Sequence, residues 1–273
     1  MASSPVFLGS GSYGRVVKVG DDAIKTVKPD PEYPTTFSAV AREALLCRDL
    51  FAFQRQSNMA GLKYLVEVRD VRVLEDGTLQ VKMRVYDGTM FDVLTADDYE
   101  PTTEIGRLAM NVRFGLEFLH VALRRWHRDI STSNIFYTGP RDPRFVLGDL
   151  GAATNRMGVT CAIRGQVETQ VATTGGPITT WMYATPAECK SHFGAPYCFQ
   201  DKNDWYSFGL CVTHLLLPKT FKGAKDRNNR TRAQSQYTYA ITNHANFAKR
   251  ASGMLPPEEA ALLQGWIRAA LPE

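Results

Sequence analysis

Asp129 and Asn134 sit five residues apart in His127-Arg128-Asp129-Ile130-Ser131-Thr132-Ser133-Asn134, and a second acid, Asp149, follows in Gly148-Asp149-Leu150-Gly151. A carboxylate can take or orient a proton, and carboxylate and amide oxygens are donors that hard cations accept. Near the other end of the chain stands Gly9-Ser10-Gly11-Ser12-Tyr13-Gly14. Glycines spaced in this way let backbone amides approach phosphate oxygens, and the same pattern arises in dinucleotide sites and in ordinary turns. In a dinucleotide site the glycines open a helix. Here they lead into Arg15-Val16-Val17-Lys18-Val19, which reads as a strand. Lys25 follows in Ala23-Ile24-Lys25, and eighteen residues on Glu43 lies among Ala41, Ala44, Leu45 and Leu46. A carboxylate in apolar company needs a partner to stay charged, and Lys25 is suited to be one.

The elements that must position these groups follow from pattern. The glycine segment reads as a two-strand hairpin, with a third strand after the turn Gly20-Asp21-Asp22. Apolar residues recur at helical spacing from 38 to about 53, which predicts a helix carrying Glu43. Two strand-like runs, 66–75 and 79–86, flank the turn Asp76-Gly77. The first ~90 residues therefore read as a small sheet with one long helix. Beyond them, 105–126 has helical periodicity, 204–217 is apolar on nearly every face, and a final helix starts at Pro256-Pro257-Glu258-Glu259. The stretch 152–180 is rich in Thr and Gly without a period and reads as a long functional loop. The basic run 222–232 reads as a solvated connection.

Bulk properties exclude several classes. With 273 residues the chain suits one domain or two tightly coupled lobes. A net charge of +4, from 32 basic and 28 acidic residues, is too mild for a nucleic-acid footprint. The five cysteines, Cys47, Cys161, Cys189, Cys198 and Cys211, are scattered and never in a CxxC pair. That speaks against a disulfide framework or zinc site and suits a reducing compartment. No signal peptide opens the chain and no apolar run is long enough to span a bilayer, so an intracellular protein without a membrane partner is expected.

Taken together and in order, these segments resemble the eukaryotic-type protein kinase family over roughly residues 6–271. The segment 127–134 resembles the HRD-x-x-x-x-N catalytic loop, and 148–151 resembles the DFG element, with Leu150 replacing Phe. Tyr183-Ala184-Thr185-Pro186-Ala187-Glu188 resembles the APE element with one extra residue, and 204–209 resembles the buried helix whose Asp braces the catalytic loop. The resemblance implies an α+β, two-lobed fold in one kinase domain over 1–273: a β-rich N-lobe to about 86, a hinge at 86–89, and a mostly helical C-lobe from 90. It implies an Mg-ATP-dependent enzyme, with Mn2+ in the place of Mg2+ if needed. The γ-phosphate would pass to Ser or Thr of protein substrates.

The same resemblance assigns roles. Asp129 would accept or orient the substrate proton, with Lys25, Glu43, Asn134 and Thr180 completing the catalytic set. Asn134 and Asp149 would hold the metal. The segment Gly9 to Gly14 (Gly9, Ser10, Gly11, Ser12, Tyr13, Gly14) would cover the phosphates, with Lys25 on the α- and β-phosphates. Val16 and Ala23 would roof the adenine, Phe136 would floor it, and Met83 would guard the back. Cys47, His127 and Leu150 would stack over Asp204.

Some positions depart from the pattern. Ser131 stands where Ser/Thr kinases carry Lys, and neither Thr132 nor Ser133 supplies the Arg of tyrosine kinases. Thr180, three residues before Tyr183, favours Ser/Thr specificity. Arg128 implies a switch by phosphorylation, through an activating kinase or autophosphorylation, with Thr169, Thr173, Thr174 and Thr179 as candidates. The C-lobe is short, so Arg268, or some other group, would satisfy Glu188. Such compaction also resembles divergent kinases of large DNA viruses, implying the cytoplasm or nucleus of a host cell. A pseudokinase scaffold and a small-molecule kinase remain as alternatives, and the oligomeric state is open.

Overall fold

A computed structural model describes residues 5–11, 14–30, 32, 35–155, 180–192, 195, 197, 199–220 and 229–272. Ser12, Tyr13, Thr169, Thr173, Thr174, Thr179 and the 222–228 part of the basic run lie outside the described residues.

Alternation builds the small lobe. Strands β1 (Val6–Gly11), β2 (Gly14–Val19), β3 (Asp22–Val27), β4 (Val68–Val73) and β5 (Leu79–Arg84) form an antiparallel sheet in the order β1-β2-β3-β5-β4. In β3 every second residue is buried, which turns Ala23, Lys25 and Val27 to the same side. The register sets Val16 opposite Lys25, Lys25 opposite Val81, and Ala23 opposite Met83. Directly opposed residues share a face, so this lattice delivers Lys25 together with an apolar wall. Helix α1 (Thr35–Gln56) packs on β4 and buries Val40, Glu43, Ala44, Cys47 and Leu50, a helical spacing. Near its end the Gln54 side chain donates to Val66 O at 2.9 Å and accepts from Val68 N at 3.0 Å, tying helix to sheet.

The larger lobe is helical. It comprises α2 (Met90–Thr95), α3 (Thr103–Met110), α4 (Val112–Val121), α5 (Pro186–Ser191), α6 (Asp201–Leu216), α7 (Asn229–Ser252) and α8 (Pro257–Ala270), with a small sheet. That sheet orders β6 (Gly88–Thr89), β8 (Ile135–Tyr137) and β9 (Phe145–Leu147), while β7 (Arg125–Trp126) pairs β10 (Thr154–Asn155). As expected, α6 is buried nearly all round, with Tyr206, Phe208, Leu210, Val212 and Leu215 wholly covered.

Two expectations about elements change. The 105–126 pattern divides into α3 and α4 at Asn111, and the chain leaves the helix after Val121 to pass through Arg124 at φ 52°. A left-handed residue there cannot continue a right-handed helix. The basic run is not all connection, since its 229–232 end starts α7. Helix α7 itself has no large apolar stripe. It docks through Ala233, Gln236, Ala240, His244, Ala248 and Ala251, all nearly or wholly buried. Among the described residues no helix is long and apolar enough to cross a membrane.

Candidate active site

Lys25 organises the cleft between the lobes. Its Nζ lies 2.7 Å from Glu43 Oε1 and 2.7 Å from Asp149 Oδ1. The Lys25 and Glu43 side chains are 9% and 4% exposed, so each charge needs a close partner. Burial pulls the Lys25 ammonium down, yet the two carboxylates outweigh it and hold the amine protonated well above its ordinary value. For Asp149 burial acts upward, and the Lys25 ammonium overrides it, holding the carboxyl below the usual range. Burial pushes Glu43 up, with Lys25 opposing. One helix, one strand and the turn after β9 thus meet at a single cation.

The loop 127–134 is held from beneath. Asp204, 1% exposed on α6, accepts from His127 N at 2.8 Å and Arg128 N at 2.9 Å, and His120 Nε2 lies 2.8 Å from the same carboxylate. These bonds fix Arg128 at φ 70°, a conformation that costs about 1 kcal/mol or more for a residue with a side chain. His127 Nε2 lies 2.8 Å from Gly148 O, so the ring spans the two acid-bearing segments. Asn134 donates through Nδ2 to Asp129 O at 2.7 Å and to Asp129 Oδ2 at 3.1 Å. Thr180 donates its backbone N–H and its hydroxyl to Asp129 Oδ1, at 3.2 and 3.3 Å. Burial pushes the Asp129 carboxyl up, while His127 and the Thr180 and Asn134 donors oppose that shift.

Between these walls lies a cavity of about 570 Å³ lined by Gly9, Gly14, Val16, Ala23, Lys25, Met83, Phe136, Asn134 and Asp149 among others. That size and lining suit a small ligand with an apolar head. Phe136 stacks on Tyr86, rings 5.3 Å apart and 13° from parallel. Two glycines are required by geometry. At Gly14 (φ 135°) a Cβ would stand 2.3 Å from Thr26 O, and at Gly148 it would stand 2.2 Å from the Phe136 ring.

Most of the expected residues therefore meet in one cleft. Ser10 and Gly11 pair with Arg15 and Gly14 in the hairpin. Cys47, His127, Leu150 and Asp204 are all nearly or wholly buried, as a packed column requires. Arg268 does not serve Glu188; it reaches Gln264 at 3.3 Å. Glu188 instead accepts from Thr185 N at 2.6 Å in a capping box that starts α5. Sequence reasoning missed Val81, Asp92 and Ser133, which also line the cavity. Val81 was signalled by its place in the alternating run opposite Lys25, and Asp92 by the Thr89-x-x-Asp92 capping pattern.

No cluster of three or more His, Cys, Asp or Glu able to hold a metal is found among the described residues. Mg2+ does not demand one, since it binds through one or two protein oxygens plus substrate phosphates and water. Asp149 and Asn134, facing the same cavity as a protonated lysine, fit that mode.

Comparison with known proteins agrees. The family model described as "Protein kinase domain" matches residues 4–268. The chain is similar to "Serine/threonine-protein kinase H2" of Homo sapiens, 28% identical over 148 residues, 54% of this chain and 36% of that protein. It is similar to "Serine/threonine-protein kinase SSN3" of Phaeosphaeria nodorum, 28% identical over 165 residues, 54% of this chain and 34% of that protein. The chain thus spans about a third of the length of these curated relatives. With a β-sheet lobe, a helical lobe, a glycine hairpin over the cleft and a match over nearly its whole length, the chain belongs to the protein kinase domain family.

Proposed function

We propose that this chain is an active protein kinase that uses Mg-ATP to phosphorylate Ser or Thr hydroxyls of protein substrates. The observation that carries this is the double ion pair of Lys25, at 2.7 Å to both Glu43 and Asp149. A scaffold without turnover has no need to hold a buried lysine charged at the mouth of the phosphate site. In phosphoryl transfer the protein contributes position and charge neutralisation more than covalent chemistry. Backbone amides at the glycine hairpin and the Lys25 ammonium would bind the phosphates, and Val16, Ala23, Met83 and Phe136 the base. Mg2+, held by Asp149 and Asn134, would supply the charge that neutralises the β- and γ-phosphates. Asp129 would orient the acceptor hydroxyl and receive its proton as the new O–P bond forms and the bond to the β-phosphate oxygen breaks.

The Thr180 hydroxyl on Asp129 Oδ1 supports a Ser/Thr acceptor, because it already lies where a small hydroxyl would be aligned. The names of the two relatives support the same specificity. The test is to label mixed acceptor proteins with γ-labelled ATP and magnesium and to type the labelled residues. Label on Ser and Thr is expected. Label on Tyr would overturn the specificity, and Mg-ATP binding without label would favour the scaffold or a small-molecule kinase.

A further inference from the structure

Helix α6 grips the catalytic loop twice. On the side before Asp129 it does so through Asp204, which accepts the His127 and Arg128 amides. On the side after Asp129 the grip is indirect. Thr132 Oγ1 lies 2.9 Å from the Tyr183 hydroxyl, and that hydroxyl lies 2.8 Å from His214 Nδ1, also on α6. Ser207 of the same helix donates to Tyr183 O at 2.8 Å, so the tyrosine is fixed at both ends. From Asp204 to His214 the helix rises about 15 Å, enough to bracket the whole loop.

Thr132, Tyr183 and His214 are 2%, 3% and 5% exposed. Burial lowers the His214 imidazole to about 4 and pushes the Tyr183 phenol up, so both are neutral near pH 7. A neutral phenol between a hydroxyl and an imidazole nitrogen gives one hydrogen bond and accepts the other. The two groups it joins flank the reacting acid. Thr132 lies three residues past Asp129, and Tyr183 three past Thr180, which donates to Asp129 Oδ1. Movement of either segment therefore shifts the carboxylate relative to Thr180.

We propose that Thr132, Tyr183 and His214 form a relay of positioning residues that sets the Asp129 carboxylate against the acceptor hydroxyl. The relay deepens the protein kinase reading and rests on it. It acts on protein phosphorylation and leaves nucleotide binding alone, because none of its members lines the nucleotide cavity.

Steady-state kinetics of the full chain, with Mg-ATP and a phosphorylated acceptor protein from the labelling experiment, test it. Tyr183→Phe and Thr132→Val should each lower kcat about tenfold, the loss of one aligned hydrogen bond, with KM for ATP within twofold of the parent. The double variant should be no worse than either single one, since both cut one relay. Thr132→Ser, which keeps the hydroxyl, should recover transfer. Unchanged kcat in Tyr183→Phe, losses that multiply in the double variant, or a KM for ATP that moves with kcat would overturn the relay and leave these groups as core filling. If Tyr183→Phe fails to fold, the Thr132→Val and Thr132→Ser pair decides alone. A parent protein that transfers no phosphate would remove the kinase reading, and the relay with it.

Discussion

Lys25 stays charged although nearly buried because two carboxylates share it, and neither carboxylate has another cation as close among the described residues. Lys25→Met should therefore reduce phosphotransfer by about 100-fold or more, the scale seen when one preorganised charge is removed from a transition state. Transfer within threefold of the parent, measured at saturating Mg-ATP, would contradict the role. The Lys25–Glu43 pair was legible in sequence because Glu43 falls among Ala41, Ala44, Leu45 and Leu46 on a helix, where a carboxylate turned inward needs a partner. Asp129, Asn134 and Asp149 were legible for a related reason: their types and spacing have few other uses. The Thr132–Tyr183–His214 relay was not. Each member is an ordinary residue at an ordinary place, and its partners lie 51 and 31 residues away. Only the packing of three segments reveals that their polar atoms converge.

At the level of elements, legibility followed the size of the side chains that do the packing. The strands showed through because β-branched residues alternate, and α6 showed through because apolar residues cover it all round. Helix α7 did not, since its contact stripe is Ala233, Ala240, Ala248 and Ala251 with Gln236 and His244. The helical spacing is present, but alanine contributes little apolar contrast and the other two members are polar. Small residues let α7 approach α5 and α8 closely, so the stripe tolerates little added volume. Ala240→Leu should lower stability by about 1–3 kcal/mol through overpacking, read as a drop in the denaturant midpoint. An unchanged midpoint would mean that α7 can move away from the core at no cost.

Across the whole molecule, α6 is the member to which both the catalytic loop and α8 are attached, so its buried polar groups tie activity to global stability. Two of the imidazoles near it, His214 and His244, are held neutral by burial, each lowered to about 4. The unfolded chain protonates histidine near about 6.5. Between those values the unfolded state binds more protons, so stability is full above about 6.5 and falls as pH drops towards about 4. The loss is on the order of 3 kcal/mol per imidazole at most. Melting curves of His244→Gln should show a shallower fall between pH 7 and pH 5 than the parent. Parallel curves would show that His244 takes no part.

The central claim is that the cleft performs phosphoryl transfer with Asp129 orienting the acceptor, and one comparison tests it most directly. Mg-ATP affinity and γ-phosphate transfer to protein should be measured for the parent and for Asp129→Asn. The account predicts similar Mg-ATP affinity in both, because Asp129 does not line the cavity between the lobes, and transfer reduced by about 100-fold or more in the variant. Equal transfer by the two proteins would contradict it.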